Sequence, residues 1–79
     1  MSREEIIERI REIVSEETEL SKDEILEESK LMRDLELSSL EVLTLVGKLE
    51  EAYSMHVDVN NLQKVATIGE LADCFCRLA

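Results

Sequence analysis

The chain has 79 residues, with 19 Asp or Glu against 9 Lys or Arg and a formal charge of −10. That balance excludes a nucleic-acid binder, whose affinity comes from neutralising phosphates, and docking on an anionic membrane surface; a partner with a basic patch is the natural complement. At 44% hydrophobic residues the chain is too apolar for a disordered acidic tail, and its length allows one small domain, expected over residues 1–79, without a deep catalytic cavity.

No apolar run is long enough to cross a bilayer, and Met1-Ser2-Arg3-Glu4-Glu5 lacks the basic-then-apolar order of a secretory signal. The expectation is a soluble cytoplasmic protein that does not insert into membranes. Cys74 and Cys76 lie two residues apart on an expected helix, so they point about 200° away from each other. They are expected to be free thiols in a reducing compartment.

The chain has no proline, two glycines and only one Phe and one Tyr. Strand-formers never alternate with period two over a useful length, so the chain is predicted to be all-α: a small bundle of three main helices plus one short helix, with a long connection between the first two main helices. Ser2 and Glu5 have capping-box spacing and open a helix over Arg3–Glu16, in which Ile6, Ile10 and Ile13, with Ile7 and Val14, form the apolar stripe. Residues 17–37 lack sustained periodicity; Leu20, Ile25, Leu31, Leu35 and Leu37 can pin them to the core, and Ser21-Lys22-Asp23-Glu24, another capping-box match, can start a short turn.

The second main helix is expected from Ser38 to Tyr53, with Ser38 and Glu41 as its capping box and Ser39 at the first helical position. At 100° per residue Val42, Leu45, Val46, Leu49 and Tyr53 fall on one core-facing arc. Leu40 and Leu43 lie off it, either under the long connection or in an exposed docking patch. A short helix is expected around Asn60–Lys64. The last helix starts after Thr67, with Thr67 and Glu70 as another capping box and Ile68, Leu71, Ala72 and Phe75 as its inner face.

No enzyme motif is present, and the chain is expected not to be an enzyme. His56 is the only histidine and joins no nucleophile–base arrangement. With the diverging cysteines it makes no zinc site, and Asp58-Val59-Asn60 fails as a calcium loop because Gln63 and Gly69 stand where Gly and Glu belong. What remains is Ser39. A serine there is ordinarily a capping-region residue, yet a helix N-terminus favours an attached phosphate through its free amides and dipole.

Asp34-Leu35-Glu36-Leu37-Ser38-Ser39-Leu40-Glu41, followed by Leu45-Val46 and Leu49-Glu50-Glu51-Ala52-Tyr53, resembles the acyl carrier proteins, whose pattern is D-L-G-x-D-S-L-[DE] and then an apolar helix ending in L-E-x-x-[FY]. The isoleucine-rich first helix, Val57/Leu62/Val65 and Thr67-Ile68-Gly69-Glu70 fall at the family's spacing. The resemblance implies that Ser39 carries 4′-phosphopantetheine, placed from coenzyme A by a phosphopantetheinyl transferase with Mg²⁺. It implies a monomeric carrier holding acyl groups as thioesters for enzymes of fatty-acid, lipid or polyketide-type synthesis. An acyl chain would enter among Val46, Leu49, Val57, Leu62, Val65, Ile68, Leu71 and Ala72, residues equally suited to ordinary core packing. Partner enzymes with basic docking patches would contact Leu40, Glu41, Leu43, Glu50 and Glu51.

The departures point to a specialised member. Glu36 stands where the family has Gly, so a positive φ there would be strained. Ser38 replaces Asp, Gly47 replaces a larger apolar residue, Lys48 adds a positive charge at or beside the docking footprint, and Asp58 stands where proline is common. Residues 38–53 carry a net −2, whereas residues 1–36 carry −7. A peptidyl or aminoacyl carrier is one alternative, though its usual G-G-x-S is absent; an unmodified carrier-like interaction module is the other.

Overall fold

Ser2 starts the first helix, its Oγ accepting the amide of Glu5 at 3.2 Å. In the computed structural model, which describes residues 2–78, this helix (α1) spans Arg3–Glu17. A single 3-10 turn follows at Lys22–Glu24, then α2 (Ser39–Tyr53), α3 (Val59–Leu62) and α4 (Ile68–Leu78). Met1 and Ala79, the ends of the expected single domain, lie outside the described residues. Among the described residues there is no strand, only an isolated bridge between Lys30 and Thr67.

One apolar cluster holds these elements. Ile6, Ile10, Ile13 and Val14 of α1, Leu45, Val46 and Leu49 of α2, and Ile68, Leu71, Ala72 and Phe75 of α4 are buried together. Val42 and Tyr53 are half-buried against them, completing the expected core arc of α2. Each fully buried large side chain contributes about 1.5–3 kcal/mol, and truncating Phe75 to Ala at the centre would cost about 3–5 kcal/mol.

The long connection is ordered by backbone bonds to the start of α4. The amides of Ile68 and Gly69, which the helix itself cannot satisfy, donate to the carbonyls of Ser29 and Glu27 at 3.1 and 2.9 Å. The Leu31 amide donates to Ala66 at 2.8 Å. Ile25, Leu31, Leu35 and Leu37 are buried beneath, as expected, while Leu20 is half-buried. The remaining α4 end groups close a reciprocal box: Glu70 Oε1 accepts the Thr67 amide at 3.0 Å and Thr67 Oγ1 accepts the Glu70 amide at 3.1 Å.

Three local details differ from the sequence reading. α1 runs one residue further, to Glu17, where Thr18 closes it by donating its hydroxyl and amide to the Val14 carbonyl. Ser21 does not cap the 3-10 turn; its hydroxyl meets the Glu24 side chain at 3.2 Å instead. The short helix spans Val59–Leu62, not Asn60–Lys64, because Asp58 caps it by accepting the Asn60 amide at 2.8 Å. The residue standing in for a proline thereby sets the helix start by hydrogen bonding. Glu36, at φ 56, does occupy the left-handed region, a conformation costing a non-glycine residue about 1–2 kcal/mol.

Candidate functional site

The two serines at the start of α2 have different surroundings. Ser38 is the cap: its Oγ accepts the Glu41 amide at 3.1 Å, and Glu41 Oε1 accepts the Ser38 amide at 2.8 Å. Ser39, the first helical residue, is exposed, and no group among the described residues holds its hydroxyl. Capping takes the Glu41 amide and leaves those of Ser39 and Leu40, in the same first turn, without an intrahelical acceptor. An exposed hydroxyl beside two open amides at a positive helix end suits a phosphodiester.

The expected acyl-lining residues do come together. Val46, Leu49, Val57, Ile68, Leu71 and Ala72 are buried in the one core cluster, and Leu62 and Val65 are half-buried against it. They draw on α2, the segment after it, α3, the turn between α3 and α4, and α4. An open groove also runs along α3 and α4, lined among others by Asn60, Lys64, Val65, Asp73 and Cys76. Of the eight residues only Val65 reaches it, so that groove is a surface feature of mixed polarity and not the cluster of expected acyl-lining residues.

On the outer side of α2, Leu40 and Leu43 are exposed, at 73% and 54%, which decides between the two placements open from sequence. The acids expected to meet a partner are unequal. Glu41 is committed to the capping box, whereas Glu50 Oε2 accepts the Val57 amide at 2.7 Å and lies 3.2 Å from His56 Nδ1. Glu51 is exposed. Lys48 turns toward α1 and pairs with Glu17, an opposite charge that raises the lysine's pKa. Neither has a local spacing signal: the Glu17 contact arises when α1 and α2 dock, and the Glu50–Val57 bond when the chain turns back after α2.

A family model described as a phosphopantetheine attachment site matches residues 8–75. An acyl carrier protein of Rubrobacter xylanophilus is 34% identical over 73 residues, covering 92% of this chain and 90% of that protein. One of Thermotoga maritima is 36% identical over 70 residues, covering 89% and 86%. The structure of the acyl carrier protein from Enterococcus faecalis superposes with a TM-score of 0.82 over the whole of both chains at 23% identity, a likeness of fold. With four α-helices among its described residues, a serine-led second helix and a match spanning most of its length, the chain belongs to the acyl carrier proteins, the phosphopantetheine-bearing family whose members carry and do not catalyse.

Proposed function

We propose that Ser39 is the attachment residue for 4′-phosphopantetheine and that the protein presents acyl thioesters to enzymes of fatty-acid, lipid or polyketide-type synthesis. The observation carrying this reading is the division of labour between the two serines. The Ser38 hydroxyl is engaged in capping α2, and the exposed Ser39 hydroxyl is left to attack phosphorus with open amides beside it. When attached, the arm supplies the thiol on which acyl groups are carried. The chain's residues anchor and shelter it: the first turn of α2 favours the phosphodiester charge, and the apolar interior from Val46 to Ala72 offers an acyl chain a dry site.

Entry to that interior is easiest at α3. It has only four residues and none of them is buried, so local opening there disrupts less packing than elsewhere. The partner surface is the outer face of α2, with Leu40 and Leu43 as apolar contacts and Glu41, Glu50 and Glu51 as charges that draw an enzyme bearing a basic patch. The phosphopantetheinyl transferase is the first such partner, and the carrier meets it as a monomer. The free thiols of Cys74 and Cys76 suit the reducing cytoplasm. No helix among the described residues is long and apolar enough to cross a membrane.

The test is intact-mass analysis after incubating the apo-protein with coenzyme A, Mg²⁺ and a phosphopantetheinyl transferase. One arm should be added, peptide mapping should place it on Ser39, and Ser39→Ala should abolish it while Ser38→Ala is still modified. A label mapping to Ser38, or surviving Ser39→Ala, overturns the assignment.

A further inference from the structure

One residue closes the turn between α2 and α3. Ser54 leaves α2 in the left-handed conformation, at φ 52, and the Met55 amide donates to the Glu50 carbonyl at 2.9 Å. The Glu50 side chain then reaches seven residues along the chain, where its Oε2 accepts the Val57 amide at 2.7 Å. Val57 is buried in the core, and the next residue, Asp58, caps α3. Glu50 therefore holds both ends of the segment that delivers the chain into α3.

His56 meets the same oxygen. Its Nδ1 lies 3.2 Å from Glu50 Oε2, and its side chain is 91% exposed. Among the described residues Glu50 is the only carboxylate within 4 Å of the ring. The other charges on the neighbouring elements are Glu51 on α2, Asp58 and Lys64 on either side of α3, and Glu70, Asp73 and Arg77 on α4. Of these acids, Asp58 is taken by the Asn60 amide, Glu70 by the Ala66 and Thr67 amides, and Asp73 by Arg3. Histidine is the side chain whose ordinary charge change falls between about pH 5 and 8. The one histidine of this chain stands on the carboxylate that closes the turn.

We propose that His56 and Glu50 form a pH-sensitive latch on the turn into α3, fastened when the imidazole is protonated. The charged ring is a charge-assisted donor and ties residue 56 to the carboxylate that already holds residue 57. The neutral ring leaves the Val57 amide as the main tie. Because a closed latch favours the proton, the tie is complete at the acidic end of the range and is lost as pH rises. The inference rests on the carrier reading only for what the latch guards, the entry of an acyl chain at α3.

Amide hydrogen exchange of the chain without its arm tests this, followed by NMR at Val57, Asn60 and Asn61 and corrected for the intrinsic rate at each pH. Protection should fall about two- to fivefold between about pH 5.5 and 8, the span that an exposed ion pair supplies. His56→Gln and Glu50→Gln should each abolish that pH dependence. Glu50→Gln still offers the Val57 amide an oxygen and removes only the charge, so a merely structural turn would not distinguish it from the unsubstituted chain. His56 is exposed and can be replaced without disturbing the core, so His56→Gln decides the matter even where Glu50→Gln fails to fold. A pH dependence that survives in His56→Gln, or none in the unsubstituted chain, overturns the latch. The carrier reading stands or falls separately, on arm transfer to Ser39.

Discussion

The ammonium of Lys48 pairs with the carboxylate of Glu17, joining the last turn of α1 to the middle of α2. From sequence this lysine is an unwelcome positive charge near a docking surface; in the fold it is a tie between two helices. Replacing it with Glu sets two carboxylates against each other, on a chain already at −10, with the Glu16 carboxylate also close enough to act on residue 48. Lys48→Glu should therefore melt at a lower temperature than Lys48→Gln, and both below wild type. Added salt should narrow the deficit by screening the repulsion. Thermal unfolding at low and moderate ionic strength decides it; a Lys48→Glu protein as stable as wild type would show the pair to be idle.

The chain's two glycines should respond oppositely to alanine. At Gly47 the space is open, and the gain in helix propensity is about 1 kcal/mol, which raises Tm by about 4–8 °C in a domain of this size. At Gly69 a Cβ would come within 2.9 Å of Arg3 Nη2 and of Glu27 Cγ, and within 3.3 Å of the Glu27 carbonyl oxygen. The Gly69 amide donates to that same carbonyl at 2.9 Å, so the backbone cannot retreat without losing the bond. Arg3 is at the same point bridging Glu27 and Asp73. Gly69→Ala should lower Tm despite its better propensity, and a rise would mean that Arg3 and Glu27 move aside freely.

Glu36 holds a left-handed backbone conformation three residues before Ser39. Glycine adopts that conformation without the Cβ clash but loses more entropy on folding. The net expectation for Glu36→Gly is a stabilisation of up to about 1 kcal/mol, read from a denaturant midpoint shifted at constant slope. A lower midpoint would show that the glutamate side chain contributes more than its backbone strain costs.

Acid should release the cap of α4. Amide donation from Ala66 and then Thr67 holds the Glu70 carboxyl below its usual value of 4.5, against the repulsion of Asp73. A carboxylate whose pKa is lowered in the fold stabilises fully above its unfolded pKa and loses that contribution as pH falls through the lower folded value. Glu8, held low chiefly by Lys22, loses its contribution in the same range. The difference in Tm between wild type and Glu70→Gln isolates the cap: it should be constant from pH 7 to about 5 and shrink below about 4.5. A gap that persists unchanged to pH 3 would place the cap's stabilisation elsewhere.

Much of this protein is legible from short-range patterns. The Ser38/Glu41 and Thr67/Glu70 boxes set the starts of α2 and α4, and the three- and four-residue spacing of Ile6, Ile10 and Ile13 or Leu45 and Leu49 marks the buried faces. These features depend on partners within one helical turn, so the sequence alone specifies them. Ser39 stands out for the same reason, lying next to a cap it does not itself form.

Tertiary structure alone decided the rest. Residues 18–38 have no periodicity because their order comes from the carbonyls of Glu27 and Ser29 meeting the amides of α4, some forty residues away in the chain. The same holds for Lys48, whose pairing with Glu17 ties α2 to α1, while Glu50 accepts the Val57 amide where the chain turns back after α2. Whether Leu40 and Leu43 were covered depended on where the long connection ran, and it ran elsewhere. Contacts between distant segments form only once apolar burial has docked the helices, and no local spacing records which charged or polar groups will then meet.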